Sequence, residues 1–375
     1  MIYFDNAATT APFKEALQTY MTTSERYFYN TASIHQSGKD AARLLEAARG
    51  QILDLMDLKN YDLVFTSSAT ESNNIALQSM LRRKKPFGKT ILTSELEHPS
   101  IVNVLEEMKQ DGFTVKYIKT TESGTVDLSH LRTLMDSDVV FVTVMAVNNI
   151  IGSVQPIQDI ILILQDYPKV HFHVDATQAI GKADIDYNGA DTMSISAHKF
   201  NGVKGAGGLF VRDLATLKPV QYGGGHEYNV RSGTVNLPAI AAMAKALRLT
   251  LSEARLVNQR LKDYNLKIRA AVKDLKAVYV QPKDAPYIVN MSFIGAKGEV
   301  VVNALSKRGI AVSTTSACAS KLATLNETLL ALHNSDEVIE GSIRISMGRT
   351  TSEEDVEQLI TALKEVYEEL GDVLK

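Results

Sequence analysis

The sequence predicts an α/β fold: a mostly parallel seven-stranded sheet flanked by helices, with a smaller α/β C-terminal domain. Three observations predict it. Short runs of β-branched and aromatic residues alternate with helix-period segments from residue 62 to residue 211, which is the pattern of strands joined by helical crossovers. Thr70, His98, Asn149, Asp175 and Lys199 each fall just after one of those runs, where such sheets collect ligands. A helix-period stretch from Pro238 to about Leu275 then separates this region from a second one with a different order of elements.

The elements follow in order. The first dozen residues are a short strand breaking into a turn, and residues 22–37 read as a polar loop with aromatic insertions at Tyr27, Phe28 and Tyr29. Residues 40–57 have the apolar spacing of an amphipathic helix. Residues 63–65 are a buried strand, followed by S-S-A-T-E-S-N-N and helical periodicity over 75–81. A Ser/Thr cluster between strand and helix is either plain capping or an anion site at a helix start. Further strands are expected at 90–93, 113–118, 138–147, 170–174 and 192–195, and helices at 101–109 and 156–165. Residues 207–211 lie close enough behind the preceding strand to pair with it antiparallel, and the glycines of G-V-K-G-A-G-G let the backbone bend back. Pro238 suits the first turn of the long helix. Beyond it come strands at 278–280, 288–293, 311–312 and 342–347, with helices at 299–306, 326–332 and 353–370. The expected division is a large domain over 13–255, and a small domain formed by 1–12 with 256–375 that carries a mobile cysteine loop.

Composition narrows the function. The chain has 375 residues and a formal net charge of -3, which gives no electrostatic case for a nucleic-acid or membrane partner. No apolar window approaches the ~20 residues that span a bilayer, and M-I-Y-F-D-N has neither a basic nor an apolar signal region. One cysteine excludes an intramolecular disulfide framework. The expectation is a cytoplasmic protein.

That cysteine, Cys318, has two readings. It is a small buried hydrophobe, or a reactive thiolate, as its small, hydroxyl-rich surroundings S-T-T-S-A-C-A-S-K-L and nearby Lys321 suggest. Three rival chemistries meet the same residues. His171 and His173 alternate on one strand face, but no H-E-x-x-H or paired-cysteine spacing marks a metal site, and ordinary partly buried histidines explain them; no metal is expected. A Cys-His hydrolase leaves Asp175 and Lys199 unexplained. A nucleotide site has glycines but no G-K-[ST] ending.

A pyridoxal 5'-phosphate (PLP) site explains more residues together. Its phosphate needs backbone N–H groups and hydroxyls, supplied by Ala69 and Thr70 with Ser196 and His198 nearby. Its ring nitrogen needs a carboxylate, Asp175; its aldehyde needs an amine, Lys199; its ring face needs a flat neighbour, His98.

The ordered motifs then name a family. They are D-N-A-A-T-T at residues 5–10, S-A-T-E-S-N-N at 68–74, E-H-P-S at 97–100 and V-N-N-I-I-G at 147–152, followed by H-V-D-A-T-Q-A-I-G at 173–181 and S-A-H-K-F-N-G at 196–202. G-G-G-H-E-Y-N-V-R-S-G-T at 223–234, S-A-C-A-S at 316–320 and S-I-R-I-S-M-G-R at 342–349 complete the set. Over essentially its whole length the chain resembles the cysteine desulfurases of the NifS/IscS type, a branch of the class V aminotransferases with the PLP fold type I.

The resemblance implies that Lys199 is the Schiff-base lysine and Cys318 the nucleophile that takes sulfur from L-cysteine as a persulfide, releasing L-alanine. It implies Asp175 on the ring nitrogen, Gln178 on the ring phenolate oxygen, and His98 stacked on the ring and taking part in proton transfer. Ala69, Thr70, Ser196 and His198 match phosphate contacts, and Thr234 matches one made to the partner's cofactor, which implies a homodimer. Asn149 and Arg344 match the groups that hold the substrate carboxylate, and Asn149 also adjoins the cofactor. About two dozen residues lie between Cys318 and Ser342, which resembles the longer cysteine loop of group I enzymes. Ile150 stands where many relatives have an acid, and Thr314-Thr315 where Ser-Gly is usual. The short C-terminus suggests an acceptor such as a tRNA-thiolation enzyme in place of an Fe-S scaffold. Selenocysteine lyase, a small-amino-acid aminotransferase and a non-catalytic sulfur carrier are the alternatives; the first two do not need Cys318 and the last does not need Lys199.

Overall fold

The computed structural model describes residues 1–282, 285–315, 326–371 and 374. The chain opens with β1 (Ile2–Tyr3), α1 (Lys14–Arg26) and α2 (Gln36–Leu55). The strand–helix region runs β2 (Asp62–Thr66), α3 (Ala69–Lys84), β3 (Thr90–Ser94), α4 (Pro99–Gln110), β4 (Thr114–Ile118), α5 (Leu128–Leu134), β5 (Val139–Met145), α6 (Ile157–Leu164), β6 (His171–Asp175), β7 (Thr192–Ser196) and β8 (Gly207–Val211). After α7 (Leu237–Val272) come β9 (Val278–Val280), β10 (Ile288–Phe293), α8 (Gly298–Lys307), β11 (Ile310–Ala311), β12 (Ser313–Thr314), α9 (Glu327–Ala331), α10 (Asp336–Glu340), β13 (Ser342–Ser346) and α11 (Glu353–Glu369).

Seven strands form the large sheet in the order β2-β8-β7-β6-β5-β3-β4. Only β8 is reversed, pairing antiparallel with both β2 and β7, as its closeness to β7 in sequence predicts. Every residue of β5, V-V-F-V-T-V-M, is buried, because helices cover both faces of the sheet. Val64, Ile91 and Leu209 share one core with the apolar sides of α3 and α4, while Leu63, Phe65 and Leu92 turn to the other face. The period-2 alternation of strands thus sends successive residues to different cores.

A second sheet, β12-β13-β10-β9, is antiparallel. The N-terminus is stitched to this region: β1 pairs with β11 in a separate two-stranded sheet, Asp5 bridges Ser346 of β13, and Asn6 Nδ2 donates to Ser346 O at 3.0 Å. The segment then crosses to the large sheet, where Thr10 N donates to His198 O and Phe13 N to Asn201 O, both at 2.9 Å. Helix α7 is continuous over 36 residues, ~54 Å at the helical rise. Its first three turns are buried on nearly all sides; in its later half Leu261, Asn265, Ile268 and Val272 are buried, with Val257 and Tyr264 partly buried against the same core.

Two expectations need correction. Residues 22–37 are not all loop: α1 runs to Arg26 and α2 begins at Gln36. The apolar stripe of α1, Ala16, Leu17, Tyr20 and Met21, ends before its last turns, and T-T-S-E-R at 22–26, like Q-S-G-K at the start of α2, has no apolar side chain for periodicity to detect. His171 and His173 are fully buried, not partly buried, and both ring systems bond to Thr192 Oγ1 at 2.9 Å. Helices α5 and α10, of 7 and 5 residues, escaped notice because two turns carry too little periodicity. No helix among the described residues is long and apolar enough to cross a membrane.

Candidate active site

A cavity of about 400 Å³ opens at the carboxyl ends of β2, β3, β5, β6 and β7. Nine sequence-derived candidates line it: Ala69, Thr70, His98, Asn149, Asp175, Gln178, Ser196, His198 and Lys199. Arg344, from β13 of the second sheet, closes the other side. Thr234 does not line the cavity and is exposed. Cys318 lies outside the described residues.

Each group is placed by local structure. Ser68 caps α3, accepting from Glu71 N at 3.2 Å, so Ala69 and Thr70 occupy the first helical turn, whose N–H groups have no intrahelical partner. Gly207 of β8 permits this approach: a Cβ there would lie 2.7 Å from the Ser68 carbonyl carbon. His98 caps α4, and its Nδ1 accepts from Ser100 N at 3.1 Å. Asp175 ends β6, where Thr177 N donates to Oδ1 and Asn73 Nδ2 to Oδ2, both at 2.9 Å.

Lys199 closes a short 3₁₀ turn behind β7. Its Nζ donates to Ala7 O at 2.6 Å and Ala8 O at 2.9 Å, with no carboxylate in ion-pair range among the described residues. Burial, with the Arg344 guanidinium adding to it, brings this amine down to about 8. Burial likewise takes the His198 imidazole down to about 4, helped by Lys199, Lys204 and Lys182. His98 is lowered by burial and by Lys199, against an opposing pull from Asp175.

Among the described residues Gln178 Nε2 gives one hydrogen to Ala7 O at 2.8 Å and its second hydrogen has no acceptor, while Oε1 is buried without a partner. Arg344 donates from Nη1 to Asn149 O at 2.9 Å and from Nη2 to Asp5 Oδ1 at 2.8 Å, while its buried Nε has no partner among the described residues. A guanidinium so held on the rim retains donor capacity for a carboxylate.

These groups fit pyridoxal phosphate. A helix start with flanking hydroxyls suits a phosphate, a carboxylate deep in the cavity suits a ring N–H, and a weakly basic amine suits an aldehyde. Among the described residues no group of three or more His, Cys, Asp or Glu could hold a metal ion. Sequence reasoning assigned no role to Asp5, Ala7, Ala8, Asn73 or Ser100. The N-terminal motif did flag the first three, but their task is backbone acceptance and ion pairing across the fold. Asn73 sits in S-A-T-E-S-N-N on the buried side of α3, where helical phase was the available signal.

The aminotransferase class-V profile matches residues 2–359 of the chain. A NifS/IcsS protein homolog of Lactobacillus delbrueckii subsp. bulgaricus is 39% identical, with 100% of this chain and 99% of the relative covered. Cysteine desulfurase IscS 1 of Archaeoglobus fulgidus is 36% identical, covering 99% and 98%. A solved structure described as a NifS-like protein superposes with a TM-score of 0.91 at 30% identity, covering 99% of both chains.

Proposed function

The chain belongs to the aminotransferase class-V family, within its NifS/IscS cysteine desulfurases, and from that premise we propose how its own residues carry the reaction. It is a PLP-dependent cysteine desulfurase, taking sulfur from L-cysteine for transfer to an acceptor. When bound, the cofactor supplies an electron sink for charge developing at the substrate Cα and for release at Cβ. In this reading Ala69, Thr70, Ser196 and His198 hold its phosphate, Asp175 its ring nitrogen, Gln178 its phenolate oxygen and His98 its face. The observation that carries the assignment is Lys199: a buried primary amine brought down to about 8, turned into the same cavity as Asp175.

Lys199 would hold the cofactor through its amine, and as a free amine it is the base placed to take the Cα proton. Burial brings its amine far closer to neutral pH than an ordinary lysine, which favours the free-base form that proton abstraction needs. Arg344 and Asn149 orient the substrate carboxylate. The Cys318 thiolate attacks the substrate sulfur: an S–S bond forms, the Cβ–S bond breaks, and its electron pair remains on the carbon skeleton, which is protonated and leaves as L-alanine. Supporting this role, β12 pairs Ser313 with Arg344, and Asn326 Nδ2 donates to Thr315 O at 2.6 Å, so the two ends of the cysteine segment meet and its leading end starts two residues beyond the partner of the arginine. From Thr315 to Cys318 the chain spans at most ~10 Å.

A homodimer completes the reading, with Thr234 serving the partner's phosphate site. Exposed Thr234 follows a segment fixed by two ion pairs, Arg49–Glu227 and Arg231–Glu71. The large domain, 13–255, holds the cofactor; the small one, 1–12 with 256–375, presents Arg344 and Cys318. The setting is cytoplasmic and the acceptor is a tRNA-thiolation enzyme or an Fe-S scaffold. The test is incubation with L-[³⁵S]cysteine and each candidate acceptor without reductant. Label on Cys318 and then on an acceptor is expected; alanine formation with no label on Cys318 overturns the persulfide route.

A further inference from the structure

A hydrogen-bonded chain of buried side chains runs behind the active site and ends on His98. Asn73, on α3, is fully buried, and its Nδ2 donates at 2.9 Å to Asp175 Oδ2 and at 2.9 Å to Ser100 Oγ. Its Oδ1 lies 3.0 Å from His173 Nε2. The carboxylate fixes which way the amide faces, since the opposite orientation would put two acceptors together. With both N–H groups committed, Oδ1 is an acceptor, and His173 Nε2 carries the proton that it accepts.

The other end of the chain agrees. His173 Nδ1 and His171 Nε2 each lie 2.9 Å from Thr192 Oγ1, which has one hydrogen to give. Burial drives both imidazoles toward the neutral form, His173 down to about 4. The Thr192 hydroxyl therefore donates to His173 Nδ1 and accepts from His171 Nε2. One proton assignment satisfies every member.

On the site side, Ser100 Oγ accepts from Asn73 and so directs its own hydrogen at His98 Nδ1, 2.8 Å away. Ser100 N also donates to that nitrogen at 3.1 Å. Two donors converging on Nδ1 leave it no proton, and Nε2 is the ring nitrogen that carries one. We propose that Asn73 is a positioning residue which, by donating to Asp175 and Ser100 together, locks His98 as its Nε2–H tautomer, so that His98 offers the reaction a hydrogen-bond donor and leaves proton abstraction to Lys199. The catalytic consequence rests on the desulfurase reading; the tautomer does not.

The experiment uses ¹⁵N-histidine holoenzyme at neutral pH and long-range ¹H–¹⁵N correlation, with the His98 signals identified by their loss in His98→Gln. The expected spectrum shows His98 Nδ1 unprotonated and Nε2 protonated. Protonated Nδ1 in the wild type overturns the proposal without recourse to any variant. In Asn73→Ala the Ser100 hydroxyl is free to turn and only Ser100 N is left donating to Nδ1, so the His98 Nδ1 signal should move away from its wild-type position toward that of a protonated nitrogen. There kcat should fall about tenfold, the worth of one hydrogen bond to a charged group, with KM for L-cysteine changed less than about twofold. A folded Asn73→Ala protein whose His98 signals match the wild type overturns the role of Asn73. A wild type with the expected His98 signals but no alanine from L-cysteine supports the tautomer and defeats the desulfurase reading instead.

Discussion

Lys199→Met should make the apo-protein more stable while ending its ability to hold the cofactor covalently. The substitution keeps an unbranched stem of similar length and removes the buried amine. In the wild type, burial and Arg344 bring that amine from its ordinary 10.5 to about 8. At about 1.4 kcal/mol for each tenfold change in proton affinity, the folded apo-protein bears a penalty of about 3 kcal/mol at pH 7. The hydrogen bonds to Ala7 O and Ala8 O offset roughly 1 kcal/mol each if they are lost, so the variant should gain about 1–2 kcal/mol. Below pH 8 folded and unfolded chains are both protonated at this site, and the penalty is present in full. Between about 8 and 10.5 the unfolded chain keeps a proton that the folded chain has released, so wild-type stability rises relative to the variant. The assay is urea unfolding of both apo-proteins at pH 7 and near pH 10, other titrating groups cancelling between them. A wild type as stable as the variant at pH 7, or a difference that does not narrow with pH, would refute the reasoning. Reconstituted Lys199→Met should also lack the visible absorbance of lysine-bound cofactor.

Other outcomes follow from the same geometry. Cys318→Ala should bind the cofactor and L-cysteine yet form alanine at least ~100-fold more slowly, measured by coupled alanine assay, since the sulfur loses its acceptor. Arg344→Lys keeps the charge but not the planar fork, so KM for L-cysteine should rise about tenfold with a smaller change in kcat, read from steady-state kinetics. Gly207→Ala places a Cβ 2.7 Å from the Ser68 backbone, and should cost about 1–3 kcal/mol in thermal unfolding and loosen the cofactor in gel filtration.

Much of this architecture was legible because its signals are local. A parallel strand buried on both faces needs a continuous apolar run, and β5 has one; β8 had to pair with β7 because no crossover fits between them. Lys199 and Asp175 stood out because each ends such a run. Less visible were the last turns of α1, T-T-S-E-R, which carry no apolar side chain, and the roles of Ala7 and Ala8, which act through backbone carbonyls that any residue supplies.

By itself, the sequence determined which chemistry is present: the lysine, the acid, the cysteine, and motifs specific enough to place the chain among cysteine desulfurases. The residue types stand in the sequence itself, because functional groups are properties of residue types, and the family comes from the resemblance of the ordered motifs. The tertiary structure decided how those groups are set. It brought the Lys199 amine to about 8 by burying it beside Arg344, a residue 145 positions away in the chain. It also turned Asn73 from one polar residue in a helical motif into the amide joining Asp175 to the Ser100–His98 pair. Proton affinities and tautomers depend on dielectric and on distances of a few ångströms, and only the folded chain sets either.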